Sequence, residues 1–197
     1  MKRLFDVVAA FLALVLLAPV MFLLAVAVVV SSPGGAFFRQ TRVGRHGHTF
    51  QLLKFRSMRP GSEAGGQITV GARDPRITGI GHFLRRTKLD ELPQLINIVK
   101  GDMSVVGPRP EVPRYVALYT AEQRAVLSVR PGLTSMASIA YINENEVLGR
   151  SSEPERAYVE EVMPAKLALD LHYVRERSLA LDLHIIAATM LRIVRQG

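Results

Sequence analysis

The chain has 197 residues, 49% of them hydrophobic, with a formal net charge of +8 and no cysteine. That length suits one domain, or one small domain with an appendage, and the charge implies an anionic partner such as nucleic acid, acidic lipid or a phosphorylated substrate. Without cysteine, disulfides, thiolate catalysis and cysteine zinc sites are excluded, and the five histidines carry no HExxH spacing that would hold zinc.

The apolar excess is concentrated at the start. From Val7 to Val30, 24 residues run without a charge. The run is too long for a signal-peptide core and no small-residue cleavage site follows it, so it reads as a retained membrane anchor. A straight helix of this length rises roughly 36 Å, enough to cross a hydrocarbon core. Pro19 removes a donor and frees the carbonyl of Val15, dividing the run into Val7–Ala18 and Val20–Val30. Lys2 and Arg3 precede the run; Arg39, Arg42 and Arg45 follow it. Basic flanks mark the cytoplasmic side. A hairpin that enters and leaves on one face satisfies both flanks, and a kinked spanning helix satisfies one. The residues leave both readings open.

Ser31–Gly35 breaks the helix. Six Lys or Arg and no acid lie between Ser31 and Ser62, a juxtamembrane cluster attracted to anionic headgroups. Gly44–His48 reads as a turn and Thr49–Phe55 as a short strand. In an extended chain Lys54 and Arg56 share a face; they form either a solvated basic edge or a clamp for phosphate. Gly61–Ile80 reads as a loop able to cover a site. Neither GxxxxGK[ST] nor GxGxxG after a strand occurs, so ATPase and dinucleotide readings lack support.

Gly79–Arg86 reads as a short helix leading to Asp90-Glu91. Pro93 suits a first helical turn, and Leu92, Leu95, Ile96 and Val99 recur at helical spacing, which puts Asp90 and Glu91 at a helix start. A capped amphipathic helix accounts for this pattern without any chemistry. Further on, Val112–Tyr119 and Ala121–Val129 read as short helices, Arg130-Pro131-Gly132 as a turn, Ser135–Ile142 as weakly extended, and Asn143–Val147 as an acidic stretch. Glu153 to Arg177 is a long helical pattern bent at Pro164. Leu179 to Val194 is a helix with a broad apolar face, either core or interfacial, core being the commoner outcome.

A membrane anchor, a basic surface and an Asp-Glu pair flanked by arginines together fit phosphoryl transfer. A carboxylate can attack phosphorus to give an acyl phosphate. Attack on an anionic diphosphate requires neutralisation by Mg²⁺ and by Arg or Lys, and Mg²⁺ is typically held by one or two carboxylates with substrate phosphates. A membrane-tethered basic protein without chemistry, binding anionic lipid, nucleic acid or a glycan-assembly complex, is the competing reading. Few aromatics and no zinc-finger or RNA-recognition signature argue against nucleic acid.

Leu89-Asp90-Glu91-Leu92-Pro93-Gln94-Leu95, Lys100-Gly101-Asp102-Met103-Ser104, Gly107-Pro108-Arg109-Pro110 and Arg130-Pro131-Gly132-Leu133-Thr134 follow one another in order. With Lys54–Met58 and the Pro19-broken run, they make the chain resemble the bacterial sugar transferases, or monotopic phosphoglycosyl transferases, over almost its whole length, in their small form. The resemblance implies a mainly α fold with a small β element. Residues 1–33 would form a Pro-broken re-entrant membrane helix, and 34–197 a compact, largely helical catalytic domain on the cytoplasmic face of the bacterial inner membrane.

It implies transfer of a phosphosugar from a UDP-sugar to polyprenol phosphate, releasing UMP, as a first membrane step of glycan assembly. Asp90 would be the nucleophile and a ligand of Mg²⁺. Glu91 would deprotonate the polyprenol phosphate or orient the metal site. Lys54, Arg56, Arg85, Arg109 and Arg130 would hold phosphates. The sugar is not legible in the residues, and a homo-oligomer is compatible with them. After Thr134 many members continue Gly-x-Ala-Gln-Val-Asn-Gly-Arg, whereas this chain reads Ser135-Met136-Ala137-Ser138-Ile139-Ala140-Tyr141-Ile142-Asn143-Glu144. The arginine often assigned to nucleotide-sugar binding has no counterpart. The chain resembles a branch in which Asn143, Glu144 and Glu146 make that segment acidic.

Overall fold

A single helix, α1, runs from Lys2 to Ser31 with Pro19 inside it. The expected division at Pro19 is not a break in the helix: proline removes one backbone bond, and the turns on either side carry the helix past it. The break expected at Ser31–Gly35 is present. Ser32 leaves the helix with φ −160° and ψ 147°, and Gly34 follows at φ +110°.

In the computed structural model, which describes residues 1–62 and 74–196, α1 lies along the rest of the chain. Asp6, Ala10, Ala13, Leu14, Leu17, Met21, Leu24, Ala25 and Val28 fall on one helical stripe and face inward. Leu12, Leu16, Phe22, Leu23 and Val30 face outward, bare of protein. The helix is long and apolar enough to cross a membrane.

Both ends of α1 are tied to the same body. At the start, Arg3 Nη1 donates to the carbonyl of Ile98 at 2.7 Å and Nη2 to that of Val99 at 3.1 Å. Buried Asp6 accepts from Ser104 Oγ at 2.8 Å and the Val105 amide at 3.1 Å. Lys2 donates to Asp182 at 2.6 Å. At the far end, Arg56 Nη2 donates to the carbonyl of Ser32 at 2.8 Å.

Strands β1 (Phe37–Val43) and β2 (Thr49–Phe55) form an antiparallel hairpin, Val43 opposite Thr49, closed by a 3₁₀ turn at Arg45–Gly47. The sequence reading had the turn and β2 but not β1. Most of the expected Gly61–Ile80 loop, residues 63–73, lies outside the described residues. Helix α2 (Gly79–Arg86) matches its predicted span and is capped by Thr78, whose hydroxyl accepts from the Gly81 amide at 3.0 Å. Helix α3 (Gln94–Lys100) ends on Gly101 at φ +104°, a conformation that favours glycine.

Two short strands, β3 (Ser104–Val106) and β4 (Gly132–Thr134), pair in parallel. Gly107 and Gly132 pack so closely there that a Cβ on Gly132 would lie 2.1 Å from the Gly107 nitrogen.

The C-terminal part is helical: α4 (Pro113–Val116), a 3₁₀ segment (Gln123–Ser128), α5 (Met136–Ala140), α6 (Glu144–Gly149), α7 (Pro154–Ala157), α8 (Met163–Glu176) and α9 (Leu179–Gln196). Ser135–Ile142 is therefore not extended. Ser135 caps α5 by accepting from the Ser138 amide at 3.0 Å, a start signal the sequence carried in plain view. The expected irregularity near Pro164 is a π turn at Tyr158–Val162, and Pro164 sits in the first turn of α8, where its missing N–H is not needed. Helix α9 is divided: Ile185 is buried against Val106 and Tyr173, whereas Met190, Leu191 and Val194 are exposed.

Candidate active site

Lys88 adopts a left-handed conformation, φ 58°, which turns the chain out of α2. Asp90 and Glu91 then lie in a 3₁₀ turn, Leu89–Glu91, rather than in the first turn of α3. Leu92 ends that turn, and Pro93 stands at the N-cap of α3. The buried face of α3 is Gln94, Leu95, Asn97 and Ile98, with Leu92, Ile96 and Val99 only half-buried.

Asn97 was not singled out from the sequence, yet it fixes the site. Its Oδ1 accepts from the Leu53 amide at 3.0 Å, and its Nδ2 donates to the Gln51 carbonyl at 2.8 Å and Asp102 at 3.1 Å. This clamps α3 to β2 beside Lys54. Lys54 Nζ then reaches Glu91 Oε1 at 2.9 Å, and Arg109 Nη2 reaches the same oxygen at 2.5 Å. Arg109 is set by its own backbone: its amide donates to Asp170 Oδ2 at 3.4 Å.

The two adjacent carboxyls differ. Burial opposes ionisation of Glu91, but Arg109 and Lys54 hold it well below the usual carboxylate range. Asp90 is 5% exposed, and among the described residues no hydrogen bond or ion pair engages its carboxylate. Burial raises its pKa, against the pull of Lys54 and Arg85. Glu91 in turn raises the pKa of Arg109.

Asp90 and Glu91 line a cavity of about 410 Å³ together with Lys54, Arg85, Lys88 and Arg109. The wall includes groups that sequence reasoning missed. Arg42 pairs with Glu111 at 3.0 Å, and Tyr158 donates to the same carboxylate. Lys166 pairs with Glu144 at 2.6 Å, which brings the expected acidic segment into the site; Glu146 of that segment is exposed. Asp170 is buried, its Oδ1 has no hydrogen-bond partner among the described residues, and burial pushes its pKa up to about 7. Of these, only the Lys166–Glu144 pair had any sequence signal, the acidic stretch itself.

The structure thus brings Lys54, Arg85, Asp90, Glu91 and Arg109 together. Arg56 lies in a neighbouring cavity of about 230 Å³, which Lys54, Arg85 and Asp90 also line. Arg130 stands apart: its Nε donates to the Gly101 carbonyl at 2.8 Å and it lines neither cavity.

The arrangement suits a divalent cation held by Asp90 together with substrate phosphates, the usual Mg²⁺ mode. Asp90 has an unengaged carboxylate at the cavity wall, whereas Glu91 is already neutralised. Among the described residues no group of three acids or histidines makes an all-protein metal site.

This geometry sits on a chain whose residues 1–196 match the model of the bacterial sugar transferase family. The chain belongs to that family. A UDP-glucose:undecaprenyl-phosphate glucose-1-phosphate transferase of Caulobacter vibrioides is 42% identical over 193 residues, covering 96% of this chain and 68% of that protein. The exopolysaccharide production protein PSS of Rhizobium leguminosarum bv. phaseoli is 37% identical, covering 100% of this chain and 96% of its own length. A UDP-N-acetylgalactosamine-undecaprenyl-phosphate N-acetylgalactosaminephosphotransferase of Aeromonas hydrophila is 34% identical over 96% of this chain, which spans 42% of that relative. The sugar transferase chain thus has relatives named for different hexoses.

Proposed function

We propose that this sugar transferase moves a phosphosugar from a UDP-sugar to polyprenol phosphate, by way of a covalent intermediate on Asp90. One Asp90 oxygen attacks the phosphorus that bears the sugar, the bond to the UMP oxygen breaks, and UMP leaves. A phosphate oxygen of the acceptor then attacks the same phosphorus and returns the electron pair to Asp90.

The observation that carries this reading is the contrast between the two acids. Glu91 is neutralised by Lys54 and Arg109 in place, while the Asp90 carboxylate is unengaged at a cavity wall ringed by cations. The neutralised Glu91 serves as a fixed anchor that keeps Lys54 and Arg109 aimed at the phosphates. Preorganised cations of this kind stabilise charge developing in transfer without reorganising at the moment of reaction. A Mg²⁺ ion on Asp90 and the donor diphosphate would add Lewis-acid polarisation. The relatives' descriptions give no support to a non-catalytic tether.

The anchor reading belongs here too. Both ends of α1 dock on the one domain, which supports a re-entrant helix with both flanks, and residues 34–197, on the cytoplasmic face of the inner membrane. A crossing helix would put Arg3 and Ser32, which dock on the same body, on opposite sides of the bilayer.

The test is incubation of the protein, in bilayer, with a panel of UDP-sugars, polyprenol phosphate and Mg²⁺, following UMP. Release with one or more donors is expected. No release from any donor by folded protein overturns the reading.

A further inference from the structure

Asp90 is a wall shared by two cavities of unlike character. The larger, about 410 Å³, offers Tyr115, Tyr141, Ser138, Asn145 and Glu144, the hydroxyl, amide and ring groups that read a nucleoside and a hexose. The smaller, about 230 Å³, adds Arg56, Arg59 and Arg76 to the Arg42, Lys54 and Arg85 that both share, and Asp90 is the one acid among its described lining residues.

Arg56 is 5% exposed. Its Nη2 donates to the Ser32 carbonyl at 2.8 Å and to Ser32 Oγ at 3.3 Å, at the cap of α1. Its Nε and Nη1 are buried without a hydrogen-bond partner among the described residues. A buried guanidinium with unsatisfied donors is costly unless a ligand supplies acceptors, and Arg is well suited to phosphate.

Two phosphates must meet Asp90 in turn under the reaction proposed above, on which this inference rests. The donor's phosphate carries a nucleoside and a sugar, and ligands of that size occupy pockets of roughly 300–1,000 Å³. The acceptor's polar part is one phosphate, and its chain stays in the bilayer against α1. We infer that the smaller cavity is a separate binding site for the lipid acceptor's phosphate, with Arg56 and Arg59 as cations that serve the acceptor and not the donor.

Asp90 is then reached from two cavities. In the second transfer the acceptor oxygen forms its bond to phosphorus from the smaller cavity, the Asp90–phosphorus bond breaks, and the carboxylate keeps the electron pair. UMP and acceptor occupy different spaces, so neither excludes the other.

The experiment uses the full chain in lipid nanodiscs. In Asp90→Asn protein, binding of a short-chain polyprenyl phosphate is measured with and without saturating UMP. The acceptor Kd is expected to move less than about twofold with UMP, and to weaken roughly tenfold or more when Arg59→Ala is added, the scale of a lost charge-assisted contact. In the Asp90-intact background, Arg59→Ala and Arg56→Lys should each raise the acceptor KM while moving the donor KM less than about twofold, and UMP should inhibit noncompetitively against the acceptor. Competition between UMP and acceptor for one site, a donor KM that rises in parallel, or an acceptor affinity unchanged in both variants overturns the inference. Failure of wild-type protein to release UMP rejects the reaction instead, and leaves the binding result to be read by itself.

Discussion

Asp90 and Glu91 are consecutive residues whose carboxyls are driven in opposite directions: burial raises the first, while Arg109 and Lys54 hold the second well below the usual range. Their replacements should therefore separate chemistry from stability. Asp90 is buried with its carboxyl making no hydrogen bond among the described residues, and burial opposes its ionisation, so Asp90→Asn is expected to leave thermal stability equal or higher, and to cut UMP release at least roughly a thousandfold. Glu91→Gln strips a buried anion from two cations and should destabilise by ~3 kcal/mol. Thermal unfolding of both variants, beside UMP assays, checks this; an Asp90→Asn enzyme with a tenth of normal activity would remove Asp90 from the role of nucleophile.

Asn97 joins α3 to β2 through two hydrogen bonds, to the Leu53 amide and the Gln51 carbonyl, and holds Asp102 with a third. Asn97→Ala leaves the Leu53 amide and the Gln51 carbonyl without that partner, at a cost of about 3 kcal/mol. Because the clamp sets the distance from Lys54 to Glu91, kcat should fall although Asn97 lines neither cavity. Unfolding and rate measurements on the variant decide it, and a stable, fully active protein would show that β2 is held in place some other way.

Burial raises the folded pKa of Asp170 to about 7, against 3.8 for an ordinary aspartate. The sign follows from proton binding. Between those values the unfolded chain has lost the proton and the folded chain keeps it, so stability falls as pH rises through that window and is fully lost from this source above pH ~7. The difference amounts to ~4 kcal/mol at pH 8. Asp170→Asn is expected to raise the Tm at pH 8 and to leave it nearly unchanged at pH 4. An equal effect at both pH values would mean that Asp170 does not hold its proton in the fold.

The absence of cysteine makes the anchor easy to probe. Leu4→Cys and Phe37→Cys place single thiols at exposed positions on either flank of the apolar run. A membrane-impermeant maleimide should modify both from the cytoplasmic side of inverted vesicles and neither from the outside. Labelling of the two from opposite sides would establish a crossing helix.

Much of this was legible because it is local. The span of α2, the strand at β2, the break after Ser31 and the cation-flanked Asp90-Glu91 pair follow from neighbours a few residues apart. Misses came where distant groups decide. Ser135–Ile142 reads as extended from Ile139, Tyr141 and Ile142, yet the Ser135 cap and packing on α8 make Met136–Ala140 a helix. Val99 was assigned to a buried face by spacing, but Asn97 takes the interior because two β2 backbone groups need a partner there. Arg130, expected from its motif to hold phosphate, lines neither cavity, and its Nε donates to the Gly101 carbonyl. Asp170, Glu111 and Tyr158 reach the site from elements 20 to 80 residues away from Asp90, a distance no periodicity spans.

The apolar run that looks like an anchor also completes the interior of the protein. Ala10 seals one group around Leu95, Ile98 and Met103, and Val28 seals another around Phe55 and Leu84. It is a rib of the folded body as much as an apolar surface fit for a bilayer. Cutting the chain at residue 33 would strip the lining from both groups, take Asp6 from Ser104 and Ser32 from Arg56, and leave Asp182 with Tyr173 but without Lys2. A water-soluble version of this sugar transferase is better sought by recolouring the outward face of α1, at Leu12, Leu16, Phe22 and Leu23, than by amputation.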